Sequence, residues 1–588
     1  MGFAIAVASA VGMADKTVNR TERGDFGKRG ANRSIMKLRP HPLRNLPVQA
    51  IPPAAWPARD ARHLLVSGEQ MAALEQQLFS SGLPVEALME KAALALASRL
   101  LEQHGAELER HGAVVLVGPG HNGGDGLVVA RELALRGLAV AIWSPFERHR
   151  PLTASHLNHA AWLGIPRLSQ PPDPGGQALW IDALFGIGQN RPPSAQVQEL
   201  LAARERARPG ALVAIDVPTG LCADRGHCLG ETAARARTTY CLGLLKSGLI
   251  QDPALAWVGR LERIDLGLPP DLLATLPPCQ PLALVADDLV QAPWPRPDPA
   301  AAKYGRGRLL VVAGSRRFPG AAALALAGAD ASGCGSLQAA LPEPLAAGLW
   351  SQAPQVVVRR ALPCNAAGHL QLAALAGEDG SRLDAMVLGP GLGHGPDGNT
   401  SDDGEAWEWL QQFPGLLLLD ADGLNRLAGR GDGALPWLRQ RQGPTWLTPH
   451  PGEFARLFPH WAALPPLQAA ATAAEATGAA VLLKGARTVV SGPGNAPWQL
   501  SSAAAAAARA GQGDVLAGYA GGLAAMAMAA GKQAPASVLA LAALAHASSG
   551  EHLARLGPGC ASPGGVARAL AAITSDPSSI ACCFASKT

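Results

Sequence analysis

The chain lacks the paired cysteines of zinc sites and disulfide frameworks. Its 588 residues include nine cysteines, but these are scattered and none forms a CxxC pair. Structural zinc sites and small disulfide-stapled domains use clustered cysteines at fixed spacings. The sequence therefore disfavours both, and it is typical of a reducing compartment, so we expect a cytoplasmic protein.

Long apolar segments and a P-loop are also missing. No uninterrupted apolar run reaches the roughly 18 residues of a membrane-spanning helix. The apolar start of the chain has no basic residues before it, which makes it a poor signal peptide. No GxxxxGK(S/T) segment occurs, so P-loop chemistry is disfavoured. We expect no membrane partner.

Excess charge is confined to the beginning of the chain. Residues 1–62 carry 11 Lys and Arg against 4 Asp and Glu, a net charge of +7, and the remaining residues carry 39 against 42, a net charge of −3. A mildly acidic body does not support a nucleic-acid-binding surface. Because residues 1–62 show no sustained periodicity, we expect a disordered extension or a segment outside the native protein, with Met36 as the candidate start.

Composition predicts a large folded core in two α/β domains. Hydrophobic residues make up 48% of the chain, charged residues 16%, and the mean hydropathy is +0.10. These values argue against a mostly disordered chain. Length alone would suggest about four domains, at roughly 150 residues each, but large α/β units reduce that number to two.

Residues 63–275 show the alternation of strands and helices that is typical of a parallel sheet covered by helices. Residues 68–103 carry apolar residues at helical spacing, with a break at 82–84. Strand-like apolar runs follow, and the helical LVVARELALRG stands between the first two. The runs are AVVLVGPG (113–120), LAVAIW (138–143), ALWIDALFGIG (178–188) and ALVAIDVPTG (211–220).

A proline-rich stretch, residues 276–300, is interpreted as a linker to a second α/β domain. This domain is expected over residues 301–574, followed by a tail at 575–588. Its Ala-rich region, 501–550, is predicted to be helical because of the helix propensity of alanine. The expected strands are GRLLVVAGS (307–315), AMVLGPGLG (385–393), LLLLDADGLN (416–425), TWLTPHPGEF (445–454) and AVLLKGART (480–488).

Glycines crowd the first strand-to-helix junction of the first domain. They allow the backbone to approach a ligand, and the amides of a helix N-terminus attract anions, so a nucleotide or phosphate is the natural occupant. Asp125 lies within this junction and would repel phosphate unless it binds sugar hydroxyls or caps the helix. A tight turn with an Asp cap is the structural alternative. The glycines are Gly118, Gly120, Gly123, Gly124 and Gly126.

Polar residues also follow two further strands of this domain. Asp182 and Asp216 stand at strand ends, and ligands of open α/β sheets lie beyond the carboxyl ends of the strands. Asn122, Asp182 and Thr219 offer only oxygen donors, which suit a hard cation rather than zinc. Each acid alone is more often a turn cap, but together they predict one site.

These segments resemble the NAD(P)H-hydrate epimerase domain. GPGHNGGDGLVVAR, DALFGIGQNR, AIDVPTGLCADRG, the Lys-Ser-Gly of GLLKSG and LMEKA (88–92) match in order over residues 63–275. The resemblance implies a Rossmann-like α/β/α domain in which a potassium ion (K⁺) is held by Asn122, Asp182 and Thr219. The residues implied to bind the hydrated nicotinamide nucleotide are His121, Asn122, Gly123, Gly124, Asp125, Gly186, Ile187, Gly188, Gln189, Asn190, Arg191, Pro192 and Asp216.

Epimerising a carbon that carries a hydroxyl next to a ring nitrogen requires a group that moves protons. We assign this catalytic role to Asp182. The family usually has Asn at position 121 and Ser at position 219. Here His121 keeps a polar side chain and Thr219 keeps the hydroxyl.

The most informative segment of the second domain is ARAGQGDVLAG (508–518). Residues 511–513 form a Gly-Gln-Gly turn before Asp514 and an apolar helical stretch. Amides at a helix N-terminus can form an anion hole for a transferring phosphoryl group. Asp514 stands where it can take the proton of an attacking hydroxyl. From these residues alone, a Gly-rich turn with an Asp cap stays open as the alternative.

Supporting segments resemble the ADP/ATP-dependent NAD(P)H-hydrate dehydratase domain of the ribokinase-like superfamily. GRLLVVAGSRRFPGAA, LGPGLG, LDADGLN, TPHPGEFARL and LLKGART occur in that family's order over residues 285–572. The resemblance implies a ribokinase-like α/β/α domain, with Asp514 catalytic and with Ala322, Gly391, His450 and Asp514 at the hydrate. The residues implied at ADP are Lys484, Gly485, Ala486, Arg487, Thr488 and Gly513.

One segment departs from the dehydratase pattern. The family commonly has an Asn/Thr/Gly/Asn-bearing segment before the glycine turn, whereas this chain has SSAAAAAARA (501–510), and the turn reads GQGD rather than GSGD. We expect this change to affect the rate of the second activity rather than its identity.

Together the resemblances imply an enzyme of nicotinamide nucleotide repair. The first domain would interconvert the R and S forms of hydrated NADH or NADPH. The second would use ADP, with Mg²⁺, to phosphorylate the hydroxyl of the S form and would then eliminate phosphate. We expect a homo-oligomer. Two alternatives are a small-molecule kinase of the thiazole or hydroxymethylpyrimidine type and a nucleotide-binding scaffold, although the retained Asn122, Asp182 and Asp216 argue against lost catalysis.

Overall fold

The computed structural model describes residues 56–393, 403–531 and 533–578. The predictions made for residues 1–55 and 579–588 lie outside the described residues.

A seven-stranded parallel sheet forms the centre of the first half, in the spatial order β4–β3–β2–β5–β6–β7–β9. A separate parallel pair joins β1 and β8. The four predicted strand-like runs all contain strands. In chain order the strands are β1 (Leu65–Val66), β2 (Ala113–Val117), β3 (Val140–Trp143), β4 (Arg167–Leu168), β5 (Leu179–Ala183), β6 (Leu212–Ile215), β7 (Thr238–Leu242), β8 (Leu245–Lys246) and β9 (Arg260–Ile264).

Helices cover both faces of this sheet. Successive residues of β2 alternate between two apolar clusters, with Val115 in one and Leu116 in the other. The predicted break at 82–84 separates the first two helices. The helices are α1 (Gly68–Ser80), α2 (Val85–His111), α3 (His121–Leu135), α4 (Pro151–Trp162), α5 (Ala195–Ala207), α6 (Leu255–Val258) and α7 (Pro270–Leu273).

Much of the glycine-rich junction is helical, although the predicted helix began only at LVVARELALRG. Helix α3 begins at His121, so its first two turns contain Gly123, Gly124 and Gly126. Glycine disfavours a helix by about 1 kcal/mol relative to alanine, but close packing requires it here. A Cβ on Gly123 would lie 2.1 Å from the carbonyl oxygen of Gly118, and one on Gly126 would lie 2.4 Å from the Cβ of Ala183. Tertiary packing thus overrides local propensity.

A ten-stranded sheet forms the centre of the second half, in the order β10–β19–β18–β17–β16–β15–β14–β11–β12–β13. Only β18 runs antiparallel to its neighbours among the described strands. The strands are β10 (Leu282–Leu284), β11 (Arg308–Val312), β12 (Ser336–Pro342), β13 (Val357–Leu362), β14 (Ala385–Leu388), β15 (Leu416–Leu419), β16 (Thr445–Leu447), β17 (Ala480–Leu483), β18 (Val489–Ser491) and β19 (Trp498–Leu500).

Both faces of the second sheet are also covered, because Leu309 and Leu310 of β11 belong to different apolar clusters. The α/β/α architecture predicted for each half is therefore confirmed. The helices are α8 (Pro319–Ala331), α9 (Glu343–Gln352), α10 (Gly404–Gln412), α11 (Ala421–Ala428), α12 (Ala434–Arg439), α13 (Pro451–Leu457), α14 (Pro466–Thr477), α15 (Gln512–Gly531), α16 (Ala536–Leu556) and α17 (Pro563–Ser575).

Helix α15 alone among the described helices is long and apolar enough to cross a membrane by length and composition. Two thirds of its apolar window are buried inside the protein. It belongs to the largest apolar cluster and packs there as a core helix.

The proline-rich stretch differs from the predicted linker because part of it belongs to the second sheet. Strand β10 pairs in parallel with β19, from Leu282 opposite Trp498 to Leu284 opposite Leu500. The first half contacts it too: the backbone N–H of Leu65 donates to the carbonyl of Pro281 at 2.9 Å. The short apolar run between prolines is what makes a strand possible.

The Ala-rich region is not one helix, so this prediction is wrong for its first part. Residues 501–511 contain only the 3₁₀ turn Ala505–Ala507, and helices α15 and α16 follow separately. Alanine propensity is a weak preference, and Gly511 has a φ of 90°, which ends any helix entering from the polyalanine side.

Candidate active sites

The predicted site of the first half lies where the strand order of the sheet reverses. Strands β2 and β5 are neighbours, and the chain winds outward from this pair in both directions. Crevices at such reversal points are the usual ligand sites of open α/β sheets. The N-terminus of α3 follows β2 there, and Asp182 ends the neighbouring β5.

Asp182 is buried and fully engaged by its neighbours. One carboxylate oxygen accepts from the Thr219 hydroxyl at 2.8 Å and from the Leu184 N–H at 3.2 Å, and the other accepts from the Thr219 N–H at 2.8 Å. Burial raises the pKa of Asp182 to about 6, while these hydrogen bonds oppose the rise. This environment suits a group that holds a fixed position.

The oxygen atoms predicted to hold a cation fit that role chemically. The Asn122 amide nitrogen donates to the Ile215 carbonyl at 3.4 Å, but its side-chain oxygen is buried with no hydrogen-bond partner among the described residues. An unpartnered amide oxygen, a carboxylate and a hydroxyl are oxygen donors of the kind that a hard cation prefers. The described residues contain no cluster of three or more His, Cys, Asp or Glu side chains that could hold a metal ion.

Asp216 forms a buried ion pair at the same edge of the sheet. Its carboxylate lies 2.6 Å from the Lys246 ammonium and accepts the N–H of Ile187 at 3.1 Å. Although burial lowers the pKa of Lys246, the Asp216 carboxylate raises it above its ordinary value. Asp216 also has a φ of 66°, an unusual conformation that is typical of functional sites.

A second group of acids faces a small cavity beside this ion pair. The cavity, of about 60 Å³, is lined by Glu75, His121 and Asp125 among others. Burial, followed by Asp216 and Glu75, raises the pKa of Asp125 well above its usual range. Burial and Asp216 raise the pKa of Glu75 to about 7, whereas burial and Arg150 lower the pKa of His121. Carboxyl groups with raised pKa values in a cleft are typical of functional sites.

The predicted substrate loop 186–192 is half anchored and half exposed. Gln189 donates to the Pro218 carbonyl at 3.1 Å and accepts the N–H of Gly220 at 2.7 Å. A Cβ on Gly186 would lie 2.9 Å from an Asp216 oxygen. The structure thus brings the loop's first part to Asp216, and it leaves exposed Gly188, Asn190, Arg191 and Pro192.

The second half has a cavity of about 540 Å³ at its own strand reversal, between β11 and β14. Of the residues predicted at the hydrate, Gly391 and Asp514 line it. Ala322 is buried behind it in α8 and does not line it. His450 instead caps the N-terminus of α13, where its ring accepts from the N–H of Gly452 at 3.0 Å, and it does not line this cavity either.

Asp514 lies in the first turn of α15 in an environment that favours its protonated form. Burial, then the neighbouring Asp420 carboxylate, raise the pKa of Asp514 to about 7, and Lys484 partly opposes this. Lys484 is paired with Asp420, which also accepts from the Thr448 hydroxyl at 2.9 Å. A carboxyl group with a pKa near neutrality is well matched to proton transfer.

The predicted nucleotide residues surround a neighbouring cavity of about 390 Å³. It is lined by Lys484, Gly485, Ala486, Thr488 and Gly513, and by the polyalanine segment, which supplies an apolar wall rather than the family's polar side chains. Arg487 does not line it, because its guanidinium donates to the Leu249 carbonyl at 3.0 Å. Gly513 and Asp514 are consecutive, so the two cavities meet at the N-terminus of α15.

Comparison with known proteins shows to which family this chain belongs. Residues 85–248 match the family model described as the YjeF-related protein N-terminus, and residues 309–558 match the model described as NAD(P)H-hydrate dehydratase. A bifunctional NAD(P)H-hydrate repair enzyme of Gloeobacter violaceus is 42% identical over 496 residues, which cover 83% of this chain and 93% of that protein. The corresponding Synechocystis enzyme is 42% identical over 462 residues, covering 78% and 85%. The chain belongs to the family of bifunctional NAD(P)H-hydrate repair enzymes.

Two solved structures similar to this NAD(P)H-hydrate repair enzyme each cover half of it or less. An ADP/ATP-dependent NAD(P)H-hydrate dehydratase from Bacillus subtilis, co-crystallized with ATP/Mg²⁺, has 23% identity and a TM-score of 0.40, covering 50% of this chain and 98% of its own. A yeast protein has 27% identity and a TM-score of 0.28, covering 31% and 82%. The epimerase-plus-dehydratase function predicted from the sequence is confirmed by the family.

Three site residues of this repair enzyme were missed at the sequence level. Glu75 reaches the epimerase site from α1, and Asp420 and Lys246 form the buried ion pairs of the two sites. The motifs LDADGLN and GLLKSG contain the last two, and Asp420 directly follows β15, so these motifs were an available signal. For Glu75 no signal existed, because only the fold brings α1 to the crevice.

Proposed function

We propose that the second half phosphorylates the hydroxyl of the S hydrate with ADP and then eliminates phosphate to restore NADH or NADPH. One observation carries this proposal: Gly513 lines the cavity that contains Lys484, and the adjacent Asp514 lines the cavity that contains Gly391. In phosphoryl transfer, the attacking hydroxyl and the leaving nucleotide lie on opposite sides of the transferring phosphoryl group, whose negative charge must be stabilised between them. The N-terminus of α15 occupies that position.

In this mechanism Asp514 takes the proton of the substrate hydroxyl as its oxygen attacks the terminal phosphorus of ADP. The new O–P bond forms while the bond to AMP breaks, and the amides of residues 511–513 stabilise the transferring group. Phosphate then leaves the carbon, with loss of a proton from the neighbouring carbon, which restores the ring double bond. Mg²⁺ would neutralise phosphate charge, and Asp420, with an oxygen 3.9 Å from where a Cβ on Gly513 would lie, would be a carboxylate ligand for it.

We propose that the first half exchanges the R and S hydrates at the crevice of Asp216. Asn122, Asp182 and Thr219 would hold K⁺, which would supply a fixed positive charge. Because Asp182 already accepts three hydrogen bonds, it serves best as a cation ligand. Asp125 instead faces the small cavity beside Glu75, and we assign the proton transfer to Asp125 rather than to Asp182.

Separated hydrate epimers test the whole proposal. With ADP, Mg²⁺ and K⁺, the protein is expected to restore the absorbance of NADH from the S epimer and also from the R epimer, and to require ADP for both. Phosphorylation of a thiazole or hydroxymethylpyrimidine alcohol without recovery of NADH would favour the kinase alternative. Absence of epimer exchange would favour the scaffold.

Two matched variants separate the cation ligand from the proton-moving group. Asp182→Asn is expected to raise the K⁺ concentration that gives half-maximal epimerisation, because it removes a charged ligand. Asp125→Asn is expected to lower the maximal rate at saturating K⁺ by about two orders of magnitude, because it removes the group that moves the proton. Chromatographic exchange of R into S at varied K⁺ measures both. If Asp182→Asn lowers the maximal rate and Asp125→Asn does not, the two roles are exchanged.

A further inference from the structure

The first half of the chain forms part of the wall of the nucleotide cavity in the second half. Leu255 of α6 lines that cavity together with Lys484 and Gly485. The residue lies in the epimerase half and outside every motif that predicted the nucleotide site. A ligand that fills this cavity therefore contacts both halves.

Just before α6, Asp252 binds the nucleotide loop directly. One of its carboxylate oxygens accepts the N–H of Arg487 and the other accepts the N–H of Ala486, each at 2.9 Å. A Cβ on Gly485 would lie 2.8 Å from the second oxygen, so the absence of a side chain there permits this approach. Backbone amides bonded to a carboxylate make charge-assisted hydrogen bonds, which are stronger than neutral ones.

Further contacts join the segment before α6 to β19, which contains Gln499. The Gln251 amide donates to the side-chain oxygen of Gln499 at 2.8 Å, and the Gln499 amide donates to the Ile250 carbonyl at 3.2 Å. Both glutamines are buried. The Arg487 guanidinium also donates to the Leu249 carbonyl, so both the loop and β19 are attached to the first half.

We propose that the ADP site of the dehydratase is shared between the two halves. Leu255 contacts the nucleotide, and Asp252 is a positioning residue that holds loop 484–488 in its binding conformation. This inference rests on the proposed use of ADP. A loop that already has its binding conformation loses less conformational entropy when ADP binds. Its affinity for ADP is therefore higher, while the chemical step is unchanged. Because Asp252 takes the amides of Ala486 and Arg487, the loop meets the nucleotide through its other groups.

Variants of the first half should therefore change ADP binding. Asp252→Ala is expected to raise KM for ADP about three- to tenfold, the value for losing one or two exposed hydrogen bonds. Leu255→Asp places a negative charge against ADP and is expected to raise this KM about tenfold or more. In both variants kcat for dehydration stays within about twofold, and calorimetric titration with ADP alone gives the same ratios.

Matched substitutions elsewhere in the first half serve as controls. Asp271→Ala and Leu135→Asp change exposed residues far from the loop in sequence and should leave KM unchanged. If Asp252→Ala also loses epimerase activity, the fold of the first half is damaged. In that case the KM for ADP of the milder variant Asp252→Asn decides whether Asp252 positions the loop. Unchanged KM in these variants overturns the shared site, whereas wild-type protein without ADP-dependent recovery overturns the proposed function instead.

Discussion

Asp514→Asn is expected to lower the rate of hydrate dehydration by about two to four orders of magnitude, the usual value for removing a general base. The amide cannot take the proton of the attacking hydroxyl, although it keeps the size of the carboxyl group. Because Asp514 occupies the first turn of α15 and makes no ion pair of its own among the described residues, the fold should survive. Single-turnover recovery of NADH from the S epimer measures the loss.

The pH dependence of the wild type gives an independent check on this base. The pKa of Asp514 is raised to about 7, and the base must be deprotonated to act, so kcat/KM should fall as pH falls through about 7. Asp514→Asn should lose that acid limb, and Asp330→Asn, which changes an exposed carboxylate on α8, should keep both rate and profile. A variant at position 514 with the wild-type profile would exclude this assignment.

Lys246→Met is expected to destabilise the first half by about 3–5 kcal/mol, because it leaves the Asp216 carboxylate buried without its partner. The side chain of Lys246 is 1% exposed and that of Asp216 is 9% exposed, so water cannot replace the lost cation. Epimerase activity should disappear with the pair. The midpoint of the earliest transition in urea unfolding, followed together with epimerase activity, measures the effect.

Removing both charges provides the control for this ion pair. Asp216→Asn combined with Lys246→Met should recover much of the stability lost in Lys246→Met, because no unpaired charge then stays buried. Lys91→Met removes one hydrogen bond from a solvent-exposed lysine to the Leu266 carbonyl and should cost about 1 kcal/mol or less. If Lys246→Met alone is as stable as the wild type, the ion pair contributes nothing to folding.

Sequence patterns predicted the strands that carry the sites because these strands are buried on both faces. Continuous apolar runs such as Leu416–Leu419 need no alternation of polar and apolar residues, and a chemically active residue follows directly where each run ends. The candidate site residue Asp182 was found in this way, whereas Gly391 was implied only by the family resemblance. The grouping of such strand-end residues in space follows from the parallel sheet, since the carboxyl ends of its strands share one edge.

Other elements were missed because tertiary contacts decide them. The half-exposed β9 (Arg260–Ile264) and the edge strand β13 (Val357–Leu362) alternate charged and apolar residues irregularly, so neither gives a clear strand pattern. The helical glycines of α3 depend on how closely β5 approaches. Glu75 depends on the packing of α1 over a crevice whose other acids, Asp125 and Asp216, come much later in the sequence.

Strand β10 also determines where this chain can be divided. It lies between α7, the last helix of the epimerase half, and β11, the first strand of the dehydratase motifs. An engineered protease site, or a division into two separately expressed fragments, would naturally be placed there. A cut after residue 300 would strip an edge strand from β19, and a cut before residue 276 would remove the partner of Leu64 and Leu65. Either division would leave a fragment with an unpaired backbone edge. Separating the two activities into stable fragments is therefore harder than their separate motifs suggest.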